Sequence, residues 1–171
     1  VTRRQDVLEI LGDPENFTVV SPHSLLDETF GTMMLSVDGA AQQRHRRPFL
    51  APFSPRQLRQ IAPPIIEQTA NDLIDRFIEK GQADVDAEFS EPLALTVVTR
   101  VLGLPIEDYE QLRGWYADFA HALANFENDA AVRARGLQTR DEFRAYVMKH
   151  LKSLTSPPDD PILRAVLSDV Q

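Results

Sequence analysis

The chain has 171 residues, 43% of them apolar and 26% charged, with a formal net charge of −8 and an isoelectric point near 5.0. This length supports one domain with a real core, and the acidic balance argues against a nucleic-acid binder. Mean hydropathy is −0.28 and no apolar run reaches membrane-spanning length, while the absence of cysteine removes disulfides, thiolate metal ligands and cysteine nucleophiles and agrees with a reducing, cytoplasmic setting.

Val1–Arg4 suits the end of a short strand. From Gln5 the pattern turns helical, with Val7, Leu8, Ile10 and Leu11 on one face until Gly12 and Pro14 stop it. The first residue is valine rather than methionine, which leaves an upstream start open, and VTRRQDVLEI has no apolar core of a secretory signal. Residues 18–37 lack a clear period. They read either as a long functional loop or as an irregular segment holding a short helix. Asp38-Gly39 opens a helix with Asp38 as N-cap, and Gln42, Arg46 and Phe49 fall on one stripe of it before Pro48 bends or shortens it. Ser54-Pro55 starts a short helix through Gln60.

Pro63-Pro64 begins a longer helix with Ile66, Ala70, Leu73, Ile74 and Phe77 inward and Gly81 at its end. ADVDAEF fits a brief extended piece. EPLALTVVTRVLGLP, bounded by Pro92 and by Gly103 and Pro105, is nearly all apolar inside and predicts a buried helix. Glu107–Phe126 predicts a long amphipathic helix with Leu112, Trp115, Tyr116, Phe119 and Leu123 inward. Another follows from about Ala130 to Leu154, and a last one over Pro161–Val170, capped by Asp159 or Asp160, after the turn TSPPDDP. The fold class is mainly α, with about eight helices and minor β-strand content.

Arg44, Arg46 and Arg47 concentrate positive charge in an acidic chain. At about 100° per residue they cannot share one face. Arg46 lies on the stripe with Gln42 and Phe49, so burial is expected there, and a buried guanidinium needs an anion. The simpler reading is a pair with an internal Asp or Glu. Arg44 and Arg47 should face solvent. His23, His45, His121 and His150 are too scattered for a zinc site and read as surface or satisfied histidines. Acidic pairs such as Asp6/Glu9 and Asp72/Asp75 read as solvated surface. No phosphate-binding glycine loop or nucleophile elbow occurs, and no spacing marks a catalytic residue.

The run SVDGAAQQRHRRPFLAPFSPRQL resembles the C-helix region of bacterial cytochromes P450, whose pattern is roughly D-[PG]-x-x-H-x-x-x-R-R followed by F-[ST]-P-R. Asp38, Gly39, Arg46, Arg47, Phe53, Ser54, Pro55 and Arg56 fall into register. VTRRQDVLEILGDPENF is similar to the family's strand and helix B, EPLALTVVTRVLGLPIEDYEQL to helix E through the start of helix F, and SPPDDPILRAVL to the segment entering helix H. The resemblance covers essentially the whole chain, in order, and implies a partial P450 fold spanning roughly helices B to H.

The resemblance further implies that Gln42 and Arg46 bind a heme propionate, with Gln42 departing from the commoner histidine. It implies that Arg44 and Arg47 lie where an acidic ferredoxin docks. The segment 18–37, with Met33, Met34 and Leu35, and the stretch from Phe119 to Phe126 would border the pocket of a small apolar substrate. Family members are considerably longer, and the cysteine ligand of the iron and the oxygen-activating helix I are absent from these residues, so this chain alone supplies no metal ligand. The expected function is therefore the N-terminal part of a heme–thiolate monooxygenase, not competent as 171 residues alone. The alternative is a heme-free, truncated P450-derived protein acting as a binding or partner-activating module. A stand-alone protein would need a second chain or a dimer to cover its exposed apolar surface.

Overall fold

The structure, a computed structural model, describes residues 1–153 and Arg164. The expected last helix over Pro161–Val170 and its caps lie outside the described residues. Seven α-helices are present among those described: α1 (Arg4–Gly12), α2 (Leu25–Phe30), α3 (Gly39–Leu50), α4 (Pro55–Ile74), α5 (Glu91–Val101), α6 (Tyr109–Leu123) and α7 (Ala130–Ser153). Short 3₁₀ turns occupy Ile78–Lys80 and Ile106–Asp108. The mainly α class holds, but no strand forms among the described residues. Val1–Arg4 finds no partner ladder, and Arg4 already belongs to α1. The ADVDAEF stretch does not extend. Asp84 accepts backbone N–H bonds from Asp86 and Ala87 through its side chain, and Asp86–Ser90 closes into a π-helical turn that leads into α5.

The chain forms two compact units, Val1–Arg47 with Asp118–Phe143, and Pro48–Ala117 with the chain from Arg144. In the first, the 18–37 segment contains a helix, α2, as one of its two readings allowed. The Ser24 hydroxyl caps it by accepting the Asp27 N–H at 3.2 Å, and Gly31 ends it at φ 77°. Phe30 packs on Phe119 at 4.8 Å between ring centroids, and Phe119 meets Phe143 edge-on at 5.9 Å. Thr139 is fully buried. Its hydroxyl donates to Asp118 at 2.8 Å, and Arg135 reaches the same carboxylate oxygen at 2.8 Å. Asp129 caps α7 by accepting the Ala131 and Val132 N–H groups.

In the second unit α4 packs on α5 around buried Thr69, Leu73 and Thr99. The two helices expected on either side of Pro63-Pro64 are one. Leu58, Ile61, Ala62, Ile65, Thr69 and Leu73 make a continuous inward stripe across the prolines, which themselves face solvent. Of the expected stripe Leu73 is buried and Ala70, Ile74 and Phe77 are half-buried, while Ile66 is 41% exposed. Leu112 and Trp115 are buried as expected, and Trp115 packs edge-on to Tyr146 at 5.3 Å. The Tyr146 hydroxyl donates to Asp108 at 2.8 Å, and His150 Nε2 donates to the Gly103 carbonyl at 3.1 Å, so His150 is one of the satisfied histidines. Two expectations of burial fail here. Tyr116 is 56% exposed, and α5 leaves Val98 49% exposed, because the described residues cover only one side of each helix.

Candidate functional site

The residues singled out for binding all belong to the first unit. α3 begins at Gly39, and the Asp38 carbonyl accepts the Gln42 N–H at 3.4 Å, so Asp38 holds the cap position through its backbone. Its side chain acts elsewhere. Asp38 Oδ2 accepts the Thr18 hydroxyl and the Val19 N–H, the latter at 3.1 Å, and joins the two ends of the 18–37 segment. No local pattern signals this partner, since the bond spans 20 positions.

Within that segment Ser36 is buried. Its hydroxyl accepts the Met33 N–H at 3.0 Å and donates to the Met33 carbonyl at 3.1 Å, while the Ser36 N–H adds a bond of 3.0 Å to the same carbonyl. This tight turn presents Met33 and Met34 half-buried and Leu35 62% exposed. On α3, Gln42 is half-buried one turn before Arg46, so both side chains lie along one face.

Arg46 corrects two expectations. It is exposed rather than buried, and it makes no ion pair with an internal Asp or Glu among the described residues. Sharing a stripe with Phe49 does not bury it, because a stripe is buried only where another element covers it. Arg44 and Arg47 are exposed, as expected. Among the described residues no cluster of His, Cys, Asp and Glu fits a metal, and no helix is long and apolar enough to cross a membrane.

Two open cavities occur in the second unit. One, of about 390 Å³, is lined by Arg76, Arg100 and Arg113 together with Asp72, Glu110 and Tyr109; the other, of about 590 Å³, runs along Ala94, Leu95, Val98 and Tyr116. Arg113 is held by Glu91 at 2.9 Å, and this bond keeps its guanidinium protonated above the usual range. Burial, followed by the Glu91 charge, raises the Tyr109 phenol. Neither cavity includes Met33, Met34, Leu35, Gln42 or Arg46.

No family model matches the chain. Individual proteins do. Cytochrome P450 CYP107DY1 of Priestia megaterium is 33% identical over 134 residues, which cover 78% of this chain and 32% of that protein. Cytochrome P450-SU2 of Streptomyces griseolus is 29% identical over 188 aligned positions, covering all of this chain and 44% of that protein. The crystal structure of CalO2 superposes with a TM-score of 0.83 at 30% identity over 98% of this chain and 44% of its own. The chain belongs to the bacterial cytochrome P450 family. It spans less than half the length of each of these P450 relatives. The P450 assignment agrees with the helices described and with the register of Asp38, Gly39, Arg46, Arg47, Phe53, Ser54, Pro55 and Arg56 in the motif noted in the sequence.

Proposed function

We propose that the chain is the N-terminal part of a heme–thiolate monooxygenase whose whole protein inserts one oxygen atom from O2 into a small apolar substrate, using electrons from a ferredoxin. The observation that carries this reading is the donor pair on α3. Arg46 is exposed and uncommitted to any carboxylate among the described residues, and Gln42 stands one turn before it. A guanidinium offers paired N–H donors to a carboxylate, and an amide adds a neutral one. This donor set fits a heme propionate. Arg46 would hold the propionate by a charge-assisted bond, and Gln42 would orient it. The heme, when bound, supplies the oxygen chemistry, while the protein supplies binding and orientation. The chain has no cysteine, so the thiolate comes from outside these 171 residues.

The Met33–Ser36 turn would place Met33, Met34 and Leu35 against the substrate, where polarizable, adaptable side chains suit a small apolar molecule. The exposed Arg44 and Arg47 would meet an acidic ferredoxin surface, where rim charges speed encounter more than they raise affinity.

A second reading is a heme-free P450-derived module that binds or activates a partner. The visible spectrum of the reduced, CO-treated protein from its native source separates the two. A Soret band at the thiolate position is expected, and no heme band supports the module. In the complete protein Arg46→Ala should weaken heme retention about tenfold, the worth of one charged hydrogen bond. Alanine at Met33, Met34 and Leu35 should shift substrate preference and leave heme content unchanged. Full heme retention in Arg46→Ala would remove the propionate role.

A further inference from the structure

One carboxylate oxygen closes the base of the 18–37 segment. Asp38 Oδ2 accepts both the Thr18 hydroxyl and the Val19 N–H, and the Thr18 hydroxyl in turn accepts the Val20 N–H at 3.0 Å. The middle of the segment is held separately. Thr29 is buried, Phe30 packs on Phe119, and Glu28 pairs with Arg133 at 3.1 Å. Ser36 closes the Met33 turn internally, and Gly31 allows the left-handed backbone that separates this turn from α2. The attachment of the segment's two ends to each other therefore rests on Asp38, which also begins α3 four residues before Gln42. The partial positive charge at the start of α3 favours a carboxylate there.

We propose that Asp38 is a positioning residue: a latch that holds the segment carrying Met33, Met34 and Leu35 against the start of the helix carrying Gln42 and Arg46. What the segment faces rests on the monooxygenase reading; the latch itself does not. The plain alternative is an ordinary helix cap. A capping side chain bonds the free N–H groups of the first helical turn. The bonds of the Asp38 side chain run instead to Thr18 and Val19.

Residue-resolved hydrogen exchange on the complete protein tests this. In Asp38→Ala, amides of residues 19–20 and 31–37 should exchange about tenfold faster, the effect of losing a charge-assisted bond, while those of residues 118–143 keep their rates. Thr18→Val, which leaves the carboxylate at the start of α3, should accelerate the same amides. Asp38→Asn, which retains an acceptor oxygen, should restore most of the protection. Acceleration confined to the first turn of α3, with Thr18→Val silent, would overturn the latch and leave a cap. If Asp38→Ala loosens the whole unit, Thr18→Val decides. None of these readings depends on heme, so a missing thiolate band would sink the monooxygenase proposal and leave the latch standing.

Discussion

Asp118 and Arg46 are both charged residues on α-helices, and their surroundings give them opposite roles. Burial pushes the Asp118 carboxyl up, but bonds from Thr139 and Arg135 outweigh it and hold the group below the ordinary carboxylate range. A depressed folded value means that ionised Asp118 stabilises the fold above about pH 4, its unfolded value, and that this contribution fades as pH falls through the lower folded value. Asp118→Asn should therefore cost about 1 kcal/mol at pH 7, since Arg135 is half-exposed and screened, and the variant should converge with the parent in strong acid. Urea unfolding at pH 7, 4 and 2.5 checks this; a cost independent of pH would show that Asp118 acts by shape alone. Neither arrangement was legible in the sequence. The pairing of Asp118 with Thr139 spans 21 positions, and the exposure of Arg46 depends on what covers α3, which helical periodicity does not encode.

At the scale of elements, punctuation told more than composition. Gly12 and the Leu-Gly-Leu-Pro turn mark where α1 and α5 end. Proline misled where the apolar stripe ran on past it, because the stripe of α4 holds the helix together through Pro63-Pro64. ADVDAEF was expected to be a brief extended piece, but Asp84 offered the backbone a local partner and closed a turn. The approach of α7 to α6 in the first unit was hidden for another reason. Gly136 is buried, and a Cβ built on it would lie 2.6 Å from the Cβ of Ala122, with Thr29 Cγ2 at 4.0 Å. The sequence shows only a glycine in mid-helix, normally a weakness. Gly136→Ala should gain helix propensity yet lose about 1–3 kcal/mol to overpacking, lowering Tm by several degrees. Gly136→Ala combined with Ala122→Gly should recover most of that loss. Thermal unfolding of the pair measures it, and a Gly136→Ala variant more stable than the parent would show that the helices separate freely.

For the molecule as a whole, the balance of apolar surface matters most. Leu73, Leu112, Trp115 and Ala122 are the buried apolar residues among those described, whereas Leu8, Leu11, Val20, Leu50, Ile78, Val85 and Phe126 all stand exposed. Single exposed apolar residues are ordinary, but so many large ones against so small a core are not. Each fully buried side chain of this kind contributes about 1.5–3 kcal/mol, so leaving them in water forgoes much of what stabilises a domain of this length. The P450 relatives are more than twice as long as the part matched here, and the additional chain offers a natural cover for these faces. The 171-residue chain alone should accordingly bind a hydrophobic dye such as anilinonaphthalene sulfonate and self-associate as its concentration rises, by sedimentation velocity. Supplying the complementary portion of a P450 fold, fused or as a second chain, should suppress both. If the isolated chain stays monomeric and dark to the dye, these faces are covered by its own residues, and the heme-free module becomes the stronger reading of the protein.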